Sequence, residues 1–186
     1  MALVLYHDYT NPASAIAVAR LQRLADEGIA VEFVGFDAFG VDVALPVTVD
    51  VKAALDDLAP VAAAEGVALR EPSLLPPTGR AHALEVLAER VGRGADWRAM
   101  CYAAFWVQGT DLSRHDDLRL LASLAGLPGT AVDEVLGDRT HLAAVRRASA
   151  AQRANGVGGV PTLLAQRTLV PGLLDEADLR ALAALG

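Results

Sequence analysis

The stretch Leu3-Val4-Leu5-Tyr6-His7-Asp8-Tyr9-Thr10-Asn11-Pro12-Ala13-Ser14 constrains the fold more than any other part of the chain. Leu3 to Tyr6 form a short continuous apolar run, the pattern of a strand covered on both faces. Asn11-Pro12 marks a helix start. An asparagine N-cap accepts a bond from an otherwise orphaned amide, and proline at the first helical position has no N–H to lose. The helix is predicted to run to about Glu27, with Gly28 as its C-cap. A turn of this kind presents backbone N–H groups at a helix N-terminus. With the helix dipole, they favour an anion, a thiolate or a polarised hydroxyl.

The rest of the chain divides around this unit. Ile29 to Val34 alternates in character and is rich in β-branched residues, which predicts a second strand and a right-handed βαβ crossover with a parallel pair. Gly35 to Thr48 reads as irregular. Val49 to Glu65 reads as helical, interrupted or ended near Pro60. After a break at Leu74–Gly79, helices are predicted over about Arg80–Val91, Trp97–Val107, Asp116–Ala125, Thr130–Leu136 and Thr140–Ala154. Pro161–Ala165 and Arg167–Val170 form two β runs around Gln166, a tight antiparallel hairpin. Asp175 to Ala184 is a closing helix.

A chain of 186 residues is long enough for one compact domain with an insertion. Its net charge of −7 argues against nucleic-acid binding. Arg146-Arg147 and Arg153 read as a solvated helix face. No apolar run approaches the about 20 residues that span a bilayer, and the first strand begins too near Met1 for a signal peptide. We therefore expect a cytoplasmic protein. The single Cys101 excludes an intramolecular disulfide and, in an apolar helical run, is expected to be buried and inert. His82, His115 and His141 are scattered without metal-ligand spacing, so no metal site is expected. Tyr102 and Trp106, one helical turn apart, could line a cleft; core packing is the favoured reading.

Three segments carry a resemblance to the DsbA family of thioredoxin-fold proteins: Tyr6-His7-Asp8 through Asn11-Pro12-Ala13-Ser14; Ala103-Ala104-Phe105-Trp106-Val107-Gln108-Gly109-Thr110-Asp111-Leu112-Ser113; and Gly156-Val157-Gly158-Gly159-Val160-Pro161-Thr162-Leu163, which is similar to the family's cis-proline loop. The chain resembles the cytoplasmic branch that includes 2-hydroxychromene-2-carboxylate isomerases and kappa-class glutathione transferases. The resemblance implies an α/β, thioredoxin-like fold with an inserted all-helical domain: residues 1–48 and 155–186 as the thioredoxin-like part, and 49–154 as the insertion.

It also locates a site. Asn11 and Ser14 stand where the family carries the two cysteines of Cys-x-x-Cys, so ordinary dithiol exchange is not expected. Asn11 and Ser14 are the candidate catalytic residues, each able to donate a hydrogen bond to a thiol. His7, Pro12, Val160 and Pro161 are the candidate ligand-binding residues. The implied ligand is a small thiol or a peptide, with glutathione as the implied cofactor, and a homodimer is one assembly left open. Two functions stand side by side: a glutathione-dependent isomerase or transferase, and a non-catalytic binding module.

Overall fold

The fold is described from a computed structural model over residues 2–185. Strand β1 (Leu3–His7) leads through the turn at 8–11 into helix α1 (Pro12–Asp26), and β2 (Val31–Gly35) lies parallel to β1. Gly28 takes the left-handed conformation, φ 96°, that lets the chain reverse after α1. β5 (Thr162–Ala165) runs antiparallel to β1, and β6 (Thr168–Pro171) pairs with β5 around Gln166. The sheet order is β2-β1-β5-β6. Helix α8 (Glu176–Ala184), capped by Asp175, packs beside α1.

Between β2 and β5 come α2 (Val49–Ala64), α3 (Gly79–Arg90), α4 (Gly94–Ala103), α5 (His115–Leu124), α6 (Gly129–Gly137) and α7 (Arg139–Ala154). α3 is the hub, packed against α4, α6 and α7. Besides its helices this region contributes a short strand, β4 (Leu74–Leu75), which pairs with β3 (Leu45–Pro46) in the stretch expected to be irregular. α4 starts one turn earlier than Trp97 and continues as a π-helical turn over Ala104–Gln108, ended by Gly109 at φ 71°. α2 runs through Pro60 without a break. Pro60 lies on an exposed face, as does Asp56 one turn earlier. Water can therefore take the carbonyl bond that proline cannot supply.

One apolar cluster joins the sheet to the helices, from Leu3, Leu5 and Leu21 through Leu84 to Trp97, Trp106 and Leu118. β1 is not equally covered on its two faces: Leu3, Leu5 and His7 are buried, whereas Val4 and Tyr6 are half-buried. Arg20 ties α1 to Glu65 after α2 (2.6 Å) and to the Leu174 carbonyl before α8 (2.5 Å).

Candidate functional site

At the entry to α1, the Asn11 side-chain oxygen accepts the Ser14 N–H at 2.8 Å, the N-cap bond expected of this sequence. The Asn11 N–H donates to the Asp8 carbonyl. Ser14 is fully buried, and its hydroxyl oxygen accepts the Asp8 N–H at 3.4 Å. Pro12 is buried and Asn11 half-buried. Across the sheet, Thr162 lies opposite Tyr6, which sets Val160 and Pro161 level with the end of β1. The Val160–Pro161 peptide is cis. Pro161 is buried, and Val160 is half-buried.

Asp8 fastens this turn to its surroundings. Its Oδ1 accepts the Thr10 N–H (3.0 Å) and the Thr10 hydroxyl (2.9 Å). Its Oδ2 accepts the Ala38 N–H (2.9 Å) and the Thr78 hydroxyl (3.0 Å). A single carboxylate thus joins the first turn, the segment after β2 and the start of α3.

A buried polar network extends from it. His7 is fully buried, with Nε2–H donating to Glu85 Oε1 at 2.9 Å and Nδ1 3.0 Å from the Tyr102 hydroxyl. With both ring nitrogens occupied, His7 does not present itself to a ligand as the sequence suggested. Its polar groups are instead consumed within the core. His82 Nδ1–H donates to Glu85 Oε2 at 3.1 Å, and Arg98 donates to Glu85 Oε1 at 3.3 Å and to Glu89. His82 Nε2 stands 4.0 Å from Asp8 Oδ2, an ion-pair distance beyond hydrogen-bond reach. Tyr9 stacks on His82 at 4.7 Å, and the Trp106 indole N–H donates to the Tyr9 carbonyl at 2.9 Å. Tyr102 and Trp106 are therefore core residues, but they hold the turn by hydrogen bonds as well as by packing.

Burial alone would push the charged forms out of this cluster. Partners reverse that. Burial lowers the His82 value, yet the carboxylates of Asp8 and Glu85 push it up to about 9. Burial raises Glu85, but His7 and His82 hold it well below the carboxylate range. Burial raises Asp8, but the charge of His82 4.0 Å away and the bonds from the N–H groups of Ala38 and Thr10 bring it below its ordinary value. Cys101 has nothing to offset burial, and nearby Glu85 pushes its thiol up further, the opposite of a reactive cysteine.

Two sizeable cavities flank the site. One of about 380 Å³ lies between α1 and α4, with Ala15, Gln22, Val67, Ala99, Tyr102 and Trp106 on its walls. The other, about 470 Å³, lies between β2, α3 and α7. Neither is lined by Asn11, Ser14 or Val160. Among the described residues, no group of three or more His, Cys, Asp or Glu side chains is arranged to hold a metal ion. No described helix is long and apolar enough to cross a membrane.

The DSBA-like thioredoxin domain matches residues 2–183. The chain belongs to that family. Among solved structures, the fold is similar to a probable DsbA oxidoreductase from Streptomyces coelicolor, with a TM-score of 0.83 and 24% identity over 99% of this chain and 89% of that one. It is also similar to a 2-hydroxychromene-2-carboxylate isomerase, with a TM-score of 0.79 and 21% identity over 100% and 94%. A third is the cytosolic disulfide reductase DsbM from Pseudomonas aeruginosa, solved with glutathione, with a TM-score of 0.67 and 23% identity over 100% and 96%. At these identities the likeness speaks for the fold. No curated protein matches the chain. In this DsbA-family chain the dithiol is absent: its one cysteine is on α4, buried in the core.

Proposed function

We propose that this DsbA-family protein binds glutathione at the N-terminus of α1 and does not exchange disulfides. The observation that carries the reading is the chemistry left at that helix start. Ser14 is sealed in the interior. Asn11 spends its side-chain oxygen on the cap but keeps its amide N–H₂ at a half-buried position. With the dipole of α1, that group can donate to a ligand thiolate. The backbone of Val160, beside the cis-proline, supplies an edge for the peptide-like part of glutathione. A cytoplasmic setting, where glutathione is the bulk thiol, accords with this.

A second reading is a glutathione-dependent isomerase or transferase, favoured by the isomerase and the glutathione-bound reductase among the neighbours. One experiment separates the two. Glutathione binding is measured by calorimetry on the wild type, Asn11→Ala and Ser14→Ala. The ionisation of the bound thiol is then followed by its ultraviolet thiolate absorbance. Binding that weakens in Asn11→Ala but not in Ser14→Ala supports the site as drawn. A bound thiol near its ordinary value of about 8.5 marks simple binding, and one lowered by a unit or more marks the catalytic reading. No heat of binding at about millimolar glutathione refutes both.

A further inference from the structure

β2 is an edge strand, and among the described residues no strand pairs with its outer side. The Leu3 N–H donates to the Ala30 carbonyl and the Phe36 N–H to the His7 carbonyl. With the parallel register Leu3↔Val31 to His7↔Gly35, Glu32 and Val34 therefore turn their backbone groups towards β1. Val31, Phe33 and Gly35 turn theirs away from the sheet. Such a row of outward N–H and C=O groups is a template for another extended chain.

What faces that row is a trough. The cavity of about 470 Å³ has Phe33, Val34 and Gly35 on its strand wall. This volume is in the range of ligand sites. The opposite wall is α7, where Ala144 and Ala148, one turn apart, are small and exposed. The floor includes Val86 of α3, 57% exposed. Gly35 keeps the strand close to α3, because a Cβ there would lie 2.3 Å from His82 Nδ1. Gln152 of α7 also lines the trough, and its side-chain oxygen is buried without a hydrogen-bond partner. At the rim, Glu89 is paired with Arg98, while Glu32 is exposed and has no ion-pair partner among the described residues.

We infer that this trough takes an extended peptide segment of another protein, paired as an added strand on the outer edge of β2, with small apolar side chains between β2 and α7 and a basic residue against Glu32. A small apolar molecule would fill the volume but would leave the edge amides and carbonyls and the Gln152 oxygen without partners. A peptide backbone supplies donors and acceptors at the strand repeat. The trough is not lined by Asn11, Ser14 or Val160, so its peptide binding is tested separately from glutathione binding.

The probe is a fluorescein-labelled hexapeptide, Gly-Lys-Val-Ala-Val-Lys amide, with a control carrying N-methyl groups on alternate residues. The control keeps side chains and charge but removes the backbone donors. Fluorescence anisotropy should show saturable binding that is at least about tenfold weaker for the N-methylated peptide, the effect of losing two or three backbone bonds. Amide signals of Phe33 and Gly35 should shift in ¹⁵N spectra. Ala148→Trp, at an exposed helix position that does not threaten folding, should block binding. Val31→Pro removes one outward N–H without touching the β1 ladder and should weaken it. Absence of saturable binding up to about 1 mM peptide overturns the inference. So does equal binding of the two peptides, which would make the trough a site for side chains or small apolar molecules instead.

Discussion

Raising the pH from 6.5 to 8.5 should cost this fold about 2 kcal/mol through His82 alone. His82 is 1% exposed, and its charged ring is held between Glu85 and Asp8, which raises its value to about 9. In the unfolded chain a histidine titrates near 6.5. Below about 6.5 both states carry the proton, and the stabilisation is fully present. Above it the unfolded chain releases a proton that the folded protein keeps, so stability falls as the pH rises, and it is lost once the folded group also titrates near 9. The linkage relation gives about 3 kcal/mol at pH 6.5 and about 1 kcal/mol at pH 8.5. Asp8 and Glu85, held low, act in the acid limb and leave this window alone. Cys101, also raised, adds a few tenths of a kcal/mol at the top of this window, where an unfolded thiol begins to ionise at about 8.5, and Tyr9 and Tyr102, raised by burial, add to the loss only beyond it. Urea unfolding followed by the fluorescence of Trp97 and Trp106, both fully buried, is the assay. With a slope of about 2 kcal/mol per molar, the midpoint should fall by about 1 M between the two pH values. His82→Gln should start lower at pH 6.5 and lose most of this dependence. A wild-type midpoint that stays flat, or a His82→Gln profile that falls just as steeply, refutes the ion-pair account.

Two further outcomes follow from the same core. Gly35→Ala places a methyl group 2.3 Å from His82 Nδ1 and 2.7 Å from its Cγ, so it should destabilise the protein by about 2 kcal/mol, measured by thermal unfolding. A neutral effect would mean that His82 is free to move. Cys101, fully buried with its thiol value raised, should resist iodoacetamide at pH 8 in the native protein and react completely in urea. Rapid labelling of the native state would overturn its inert reading.

The sheet was legible because its signals are local. Asn11-Pro12 is a capping signal read from adjacent residues, and it sits where the helix begins. The β-branched run before Gly35 and the Gln166 turn are equally short-range, and the three strands formed within two residues of expectation. Boundaries slipped where packing outweighed local preference. Pro60 does not end α2, because an exposed helix face tolerates the missing bond. β3 and β4 are two residues each and pair across the 27 residues between positions 46 and 74, a register that no local pattern announces.

The turn of the candidate site was legible in the sequence, and the buried network behind it was hidden. Asn11 and Val160 could be placed from motifs, but the partners of His7 are 78 and 95 residues away in sequence, on α3 and α4. One signal was available. His82 and Glu85, three apart, fall among Ala81, Leu84 and Ala88 on the buried side of α3, and two ionisable groups on an apolar face demand partners of opposite charge. Those partners explain why the helix start can exist without a thiolate. In a dithiol protein the anion at the N-terminus of the first helix would be a cysteine sulfur. Here the negative charge beside that terminus is the Asp8 carboxylate, turned inward onto Thr10, Ala38 and Thr78 and balanced by His82. Asp8 directs its charge inward, so what the turn offers outward at the start of α1 is the half-buried amide of Asn11. That is a group able to hold a ligand, and it has no electrons to exchange with one.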